Sequence, residues 1–254
     1  MVSSSRPGTV YLTGAGPGDP DLLTVAAARV LARADAVFYD RLVSPEILAL
    51  ASPRAELIYV GKEAGEQDAV QPAILRQLTA AAWRHSVVVR LKGGDPMVFG
   101  RGGEEWAHLA ARGIPVTLIP GISSAVSVPG LAGIPLTLRG VARSFAVITG
   151  HEQNGGHENW AAYRSIDTLV ILMGVAQREA IAASLIAFGR PASQPAAFIE
   201  RGSTDRERTV VTTLGEIARG ETDVASPAVF VVGEVVRQRE ALFAMAEELE
   251  SAVA

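Results

Sequence analysis

The chain has 254 residues, 48% hydrophobic residues, 20% charged residues and a formal net charge of −4, which is typical of a globular protein with one large or two small domains. The negative net charge argues against non-specific nucleic-acid binding, and no segment is apolar over the length that a membrane span requires. Because there is no Cys, disulfides, thiolate metal sites and Cys nucleophiles are excluded, and we expect a cytoplasmic protein that binds neither nucleic acid nor membrane.

Strand-like apolar runs alternate with helical patterns through the first half of the chain. Residues 1–8 have no apolar core of a secretory signal, and they are predicted to be a flexible N-terminus. A first helix is predicted with Asp19 as its cap and Pro20 at its first position, and its apolar face would run from Leu23 to Leu31. The predicted strands are 10–13, 36–39, 56–60, 86–91 and 115–119. This alternation predicts a mostly parallel sheet in an N-terminal α/β domain over 9–119.

Two glycine clusters follow the strand predicted at 86–91. They are Gly93-Gly94-Asp95-Pro96 and Gly100-Arg101-Gly102-Gly103, and a tight turn alone would not need both. Small ligands bind beyond the carboxyl ends of strands in open α/β sheets, where glycine lets the backbone approach them. We therefore expect Gly93, Gly94 and Asp95 to contact a ligand, with a purely local turn as the alternative. A helix is predicted to begin at Glu104 and Glu105 and to run to about Arg112.

Basic residues lie at or just after the predicted strand ends, where they could meet an anionic ligand, with solvated surface charge as the alternative. These residues are Arg41, Lys62, Arg90, Lys92, Arg101 and Arg139.

The second half of the chain repeats the α/β pattern. The Pro- and Gly-rich segment 120–142 predicts a packed linker with a short helix at about 123–131. The elements predicted after it are strands at 144–149, 168–173, 196–199, 209–213 and 228–232, and helices at 177–188 and 237–250. We expect a second α/β domain over 143–254, and in each domain a mixed, mostly parallel sheet flanked by helices, with a cleft between the domains.

Two other kinds of site are disfavoured by residue spacing. The run Gly14-Ala-Gly-Pro-Gly-Asp19 places Asp where a dinucleotide-binding fingerprint needs its third glycine, and Pro17 removes a backbone donor. The four His residues lack the spacing of a helical metal site, so we predict that no metal is bound.

A set of short motifs occurs in order along the chain. In the first half they are Gly14-Ala-Gly-Pro-Gly-Asp-Pro20, Tyr39-Asp-Arg-Leu-Val43, Tyr59-Val-Gly-Lys62, Arg90-Leu-Lys-Gly-Gly-Asp-Pro96 and Phe99-Gly-Arg-Gly-Gly-Glu-Glu105. In the second half they are Pro120-Gly-Ile-Ser-Ser-Ala125, Gly133-Ile-Pro-Leu-Thr137, Leu172-Met-Gly174 and Pro227-Ala-Val-Phe-Val-Val-Gly-Glu-Val235. Together these motifs resemble the uroporphyrinogen-III C-methyltransferase family of tetrapyrrole methylases, over nearly the whole chain.

The resemblance implies a two-domain class III methyltransferase that is a homodimer, with an active site in the cleft between the domains that binds S-adenosyl-L-methionine and leaves S-adenosyl-L-homocysteine. It implies methylation of a small-molecule tetrapyrrole, uroporphyrinogen III, at C2 and C7, giving precorrin-2 through precorrin-1. Carried over to this sequence, it implies that Asp40 and Lys62 are the acid/base residues. The residues implied to contact S-adenosylmethionine are Pro17, Gly93, Gly94, Asp95, Val98, Ser123, Ser124, Met173, Gly202 and Ala228. Those expected to pair with substrate carboxylates are Arg41, Lys92, Arg101 and Arg139.

Alternatives within the same fold are a precorrin C-20 or C-11 methylase and diphthine synthase, and an alternative of another class is a non-catalytic ligand-binding module. The chain departs from the family pattern at 66–68, Leu75 and Leu138, which concerns contacts with the substrate. The product would serve sirohaem, cobalamin or haem d1 synthesis.

Overall fold

The computed structural model describes residues 6–61, 67–151 and 159–253. The chain divides into two compact units, Met1–Ser123 and Ser124–Ala254, and each unit contains a five-stranded sheet. Within the described ranges, no helix combines the length and the apolar character needed to cross a membrane.

The sheet of the first unit is entirely parallel. Its strands are β1 (Thr9–Gly14), β2 (Ala36–Tyr39), β3 (Glu56–Tyr59), β4 (Val87–Lys92) and β5 (Val116–Ile119). They lie in the order β3-β2-β4-β1-β5, and each neighbouring pair runs in the same direction. Apolar side chains fill both faces of the sheet, as expected for a parallel sheet that is covered on both sides. The prediction of a mostly parallel sheet is confirmed for this unit.

Helices cover the two faces of this sheet. They are α1 (Val25–Leu31), α2 (Pro45–Leu48), α3 (Gln67–Arg84) and α4 (Gly102–Ala110). Leu31 of α1 and Ile47 of α2 are buried in the cluster on one face, whereas Leu78 of α3 and Leu109 of α4 are buried in the cluster on the other. The helices that follow β1 and β4 therefore leave the sheet on opposite sides, which is the arrangement that opens a crevice at the carboxyl ends of the strands.

The prediction of a single helix after β1 is wrong. Asp19 caps a short 3-10 helix, Pro20–Leu22, and the chain then becomes extended at Leu23 and Thr24. The Thr24 hydroxyl accepts a hydrogen bond from the Ala27 amide at 3.2 Å and starts α1 as a separate helix. The helix predicted from Glu104 begins at Gly102 and ends at Ala110, because Arg101 adopts a left-handed conformation just before it.

The sheet of the second unit is mixed. Its strands are β6 (Phe145–Thr149), β7 (Thr168–Leu172), β8 (Pro195–Glu200), β9 (Arg208–Thr213) and β10 (Ala228–Val232), in the order β6-β7-β10-β8-β9. Among these described strands only β6 and β7 pair in parallel, and the other three pairs are antiparallel. The prediction of a mostly parallel sheet is therefore wrong for this unit. One reason is that 201–207 is too short to cross over between parallel strands, so β8 and β9 form a hairpin.

The helices of the second unit are α5 (Ser124–Leu131), α6 (Arg178–Ala187), α7 (Leu214–Ala218) and α8 (Gln238–Val253), with 3-10 helices at Trp160–Tyr163, Val175–Gln177 and Glu234–Arg237. Leu185 of α6 and Ile217 of α7 pack on one face of the sheet, and Val128 of α5 packs on the other. Helix α5 belongs to the segment predicted as a linker, 120–142, and it contributes buried side chains to the core of this unit.

Candidate functional site

The carboxyl ends of the parallel strands bring most of the predicted site residues of the first unit to one edge of the sheet. Strand β1 leads into Pro17, β2 into Asp40, and β4 into Gly93, Gly94 and Asp95. Because β1 and β4 are neighbours in the sheet, and β2 lies on the other side of β4, these loops are adjacent. The predicted ligand loop is thus placed at the sheet edge where α/β proteins bind small molecules.

Backbone contacts between glycines hold the loops after β1 and β4 together. The Gly94 amide donates to the Gly16 carbonyl at 2.7 Å, and the Gly16 amide donates to the Gly94 carbonyl at 3.2 Å. A Cβ at Gly14 would lie 2.5 Å from the Gly94 carbonyl oxygen, and a Cβ at Gly121 would lie 2.2 Å from the same oxygen. Side chains are therefore excluded where these backbone segments meet.

Asp95 fixes the turn after β4 and links it to the end of β5. One carboxylate oxygen accepts a hydrogen bond from the Met97 amide at 2.7 Å, and the other accepts one from the Gly121 amide at 3.1 Å. Asp95 is thus a turn carboxylate, as in the alternative interpretation, and it also joins two loops at the predicted ligand edge.

The segment after Asp95 is apolar, exposed and strained. Met97, Val98 and Phe99 are all exposed, and both Phe99 and Arg101 have positive φ angles, of 51° and 59°. Side chains with a Cβ adopt this conformation at an energetic cost, and such strain is concentrated at functional sites.

Asp40 lies at the same edge, and its carboxylate is partly exposed. Its side chain is 27% exposed, with one oxygen 3.6 Å from a terminal nitrogen of Arg90. Its other oxygen accepts a hydrogen bond from the Leu42 amide at 3.3 Å. A carboxylate held in this way beside the glycine loops is suitably placed to accept a proton from a bound molecule.

Arg90 and Lys92 are buried, and both contact a buried carboxylate on α4. The Glu105 Oε1 atom lies 3.0 Å from the Lys92 Nζ atom and 3.3 Å from the Arg90 Nε atom. Burial lowers the pKa of Lys92, as does the neighbouring Arg90, and Glu105 offsets this only in part. Burial acts to raise the pKa of Glu105, but Arg90 and Lys92 outweigh it and lower that pKa overall. The internal partner of Lys92 argues against its predicted contact with substrate carboxylates.

In the second unit, strand ends bring three predicted cofactor residues to one edge of the sheet. Met173 follows β7, Gly202 follows β8, and Ala228 begins β10, which runs antiparallel between those two strands. The Arg201 amide donates to the Pro227 carbonyl at 2.9 Å, and so ties the segment that contains Gly202 to the start of β10.

Met173 and the residues around Gly202 are strained in the same way as the loop after β4. Met173 has a φ of 57° and is 53% exposed, so it is not the strand-core residue that its sequence context favours. Arg201 and Ser203 also have positive φ angles, of 46° and 63°. A Cβ at Gly202 would lie 2.3 Å from a methyl group of Val128, which shows how closely this turn approaches α5, the helix that begins at Ser124.

The remaining predicted site residues are less tightly held or fall outside the described residues. Arg41 and Arg139 are exposed, in loops of the first and second unit, and the Arg101 guanidinium pairs with Glu104 at 2.7 Å. Ser123 is the last residue of the first unit. The predicted acid/base residue Lys62 lies outside the described residues.

Within the described part of the chain, no three His, Cys, Asp or Glu side chains are grouped so that they could hold a metal ion.

The sequence motifs did not single out Glu105 as a site residue, although the sequence does indicate that a buried acidic side chain is needed. Residues alternate between faces along a strand, so Arg90 and Lys92 share a face with the buried Val88 and require a buried counter-charge.

Comparison with protein families gives a match over most of the chain. The family described as Tetrapyrrole (Corrin/Porphyrin) Methylases matches residues 9–218. A protein from Bacillus subtilis, the uroporphyrinogen-III C-methyltransferase, is 46% identical over 214 residues, which are 83% of this chain and 83% of that protein. A chloroplastic S-adenosyl-L-methionine-dependent uroporphyrinogen III methyltransferase from Arabidopsis thaliana is 48% identical over 216 residues. These are 84% of this chain and 58% of the plant protein, so the chain spans little more than half of that relative.

A solved structure has the same fold. The crystal structure of a uroporphyrin-III C-methyl transferase from Thermus thermophilus, in complex with S-adenyl homocysteine, matches with a TM-score of 0.79 and 47% identity. The match covers 91% of this chain and 94% of that one. It confirms the predicted fold class, that of a two-domain α/β methylase with helices flanking each sheet, although one sheet is entirely parallel and the other is mixed.

Proposed function

Because this chain belongs to the tetrapyrrole methylase family, we propose that it transfers methyl groups from S-adenosylmethionine to carbon atoms of uroporphyrinogen III. The proposal places the two methyl groups at C2 and C7, so that the product is precorrin-2. One structural observation carries it: Asp40 and the glycine loops after β1 and β4 lie at one edge of the first sheet.

Each sheet edge, taken by itself, carries residues that suit a part of S-adenosylmethionine. In the first unit, Gly93 and Gly94 are partly exposed and have no side chains, so its amino-acid and ribose groups can approach the backbone closely at this loop. In the second unit, the exposed thioether of Met173 and the small side chain of Ala228 provide apolar surface for the adenine. The other residues in this proposed set are Pro17, Asp95, Val98, Ser123, Ser124 and Gly202. When bound, S-adenosylmethionine supplies an electrophilic methyl group on its sulfonium.

Little covalent chemistry is required of the protein. Orientation of the pyrrole carbon towards the methyl group supplies much of the acceleration, and the methylated ring must then lose a proton. Asp40 is the proposed base, because its carboxylate is partly exposed and beside the glycine loops. Lys62 is proposed as the second acid/base residue on the resemblance alone.

The acidic side chains of the macrocycle need positive partners. Arg41 and Arg139 are exposed and free of any ion pair among the described residues, so they remain our candidates for binding carboxylates. Arg101 can contribute only by sharing its guanidinium with Glu104. We leave Lys92 out of this set, because it is buried against Glu105. The proposal also includes a cytoplasmic homodimer that works without a metal.

The test is an anaerobic incubation of the purified chain with uroporphyrinogen III and S-adenosylmethionine, followed by mass spectrometry of the macrocycle. We expect a product with two added methyl groups, and two molecules of S-adenosylhomocysteine for each molecule of that product. Parallel reactions with precorrin substrates test the C-20 and C-11 alternatives. Binding of the methyl donor without methylation of uroporphyrinogen III would contradict the proposal, and would favour either another substrate or a binding module.

A further inference from the structure

A series of contacts between charged side chains connects helix α4 to the proposed base. We propose that Glu105 is a positioning residue for Asp40 and that it acts through the guanidinium of Arg90. This inference rests on the proposed function, because it assigns a role to Glu105 only if Asp40 takes part in the reaction.

Glu105 is the most deeply held residue in this series of contacts. It lies in the first turn of α4 and is fully buried. Its Oε1 atom accepts hydrogen bonds from Lys92 at 3.0 Å, from Arg90 at 3.3 Å and from Gln71 of α3 at 3.3 Å. Two helices and one strand therefore fix the place of this carboxylate, and the carboxylate fixes the place of the guanidinium.

Arg90 connects Glu105 to the end of β2. Its Nη1 atom donates to the Leu91 carbonyl at 3.1 Å and to the Phe38 carbonyl at 3.4 Å. Its Nη2 atom lies 3.6 Å from the Oδ2 atom of Asp40, two residues after Phe38. One planar group thus holds both the backbone and the carboxylate at the point where Asp40 enters the candidate site.

Stability alone is a weak reason for such a cluster, since buried ion pairs contribute little compared with well-packed apolar residues of similar volume. The geometry instead supplies orientation. Of the two cations on Glu105, Arg90 is the one that also reaches Asp40, because its Nε atom faces Glu105 and its Nη2 atom faces Asp40.

The test compares Glu105→Gln with wild type in single-turnover methyl transfer, and repeats the comparison in an Asp40→Asn background. We expect Glu105→Gln to lower the rate by about 10- to 100-fold, because a shift of the reacting group by about 1 Å has an effect of that size. The dissociation constant of S-adenosylhomocysteine should change less than about 3-fold, because the glycine loops are untouched. In the Asp40→Asn background, Glu105→Gln should have no further effect on the residual rate.

Two further variants keep the outcome interpretable if Glu105→Gln lowers stability. Arg90→Lys retains the charge but is too short to reach both Glu105 and Asp40, so it should reproduce the loss of rate and its absence in the Asp40→Asn background. Asp35→Asn is the matched control, because this carboxylate lies before β2, at its other end, and accepts hydrogen bonds from the Ser86 and Val87 amides at 3.0 and 2.8 Å. It should leave the single-turnover rate unchanged.

The two proposals fail in different ways. Suppose that wild type methylates uroporphyrinogen III and that Asp40→Asn is slow. If Glu105→Gln and Arg90→Lys then lower the residual rate of Asp40→Asn as much as they lower the wild-type rate, the positioning role is overturned and the proposed function stands. If wild type transfers no methyl group, both proposals are overturned. Wild-type rates for Glu105→Gln in a folded protein would also overturn the positioning role.

Discussion

Gly94 and Gly16 exchange a pair of backbone hydrogen bonds, at 2.7 and 3.2 Å, between the loops that follow β4 and β1. Both residues have positive φ angles, of 66° and 73°. Because side chains with a Cβ rarely adopt this conformation, the loop-to-loop contact depends on glycine at both positions. The contact fixes the edge at which we place the methyl donor.

Gly94→Val is expected to raise the dissociation constant of S-adenosylhomocysteine by at least about 10-fold, since a branched side chain in a left-handed conformation costs about 1–2 kcal/mol and disturbs the loop. Isothermal titration calorimetry measures this change. The matched control is Gly103→Ala in α4, where a Cβ meets no atom within 4 Å and where Ala should raise helix stability. Unchanged affinity in Gly94→Val would show that this loop does not bind the donor.

Asp40→Ala is expected to lower the rate of methyl transfer by about 10²- to 10⁴-fold, which is the usual contribution of a general base. The affinity for S-adenosylhomocysteine should stay close to that of wild type, because Asp40 lies after β2 and not in the glycine loops. Rate constants and calorimetry on the same preparation separate the two effects. Equal losses of rate and affinity would indicate a structural carboxylate.

Met173→Gly should separate stability from binding. Glycine relieves the positive φ of 57°, so the free energy of unfolding should rise or stay the same, whereas loss of the exposed thioether should weaken donor binding by about 3- to 10-fold. Met245→Ala, which removes another exposed Met from α8, should leave affinity unchanged. The hypothesis is wrong if Met173→Gly binds the donor as tightly as wild type.

Asp167, which is not one of the candidate site residues, makes the stability of the protein depend on pH. Hydrogen bonds from the Arg143 amide and from Ser144 lower the pKa of Asp167 in the folded chain. The stabilisation is therefore present above the unfolded-state pKa of about 3.9 and is lost as the pH falls through the lower folded-state value. Asp167→Asn should be less stable than wild type at pH 7, and this difference should shrink below about pH 4. Urea unfolding across this pH range checks it, and a difference that is independent of pH would contradict the assignment.

The strands were predictable because they are short β-branched and apolar runs between turn residues. The observed bounds of β2 and β10 are those predicted, and the other strands differ by one residue at one or both ends. Strand direction was harder to predict, because apolar runs do not encode it. The short connection between β8 and β9 was the available signal for an antiparallel pair, and the second cap at Thr24 was the available signal for two helices in place of one.

The candidate site was predictable where it depends on local sequence. Gly93, Gly94 and Asp95 follow a buried strand, and that order alone places them at the carboxyl edge of a sheet. The partner of Lys92 depends on a tertiary contact with Glu105, so no local pattern specifies it. The left-handed backbone of Met173 also depends on its surroundings, since Met has no intrinsic preference for that conformation.

The most direct measurement is a crystal structure of the chain with S-adenosylhomocysteine. We expect hydrogen bonds between the ligand and the backbone of Gly93 to Asp95, contact with Met173, and Asp40 open to the space that the macrocycle must occupy. A ligand bound away from the glycine loops, or loops whose ligand edge is filled by the side chains of the protein itself, would contradict it.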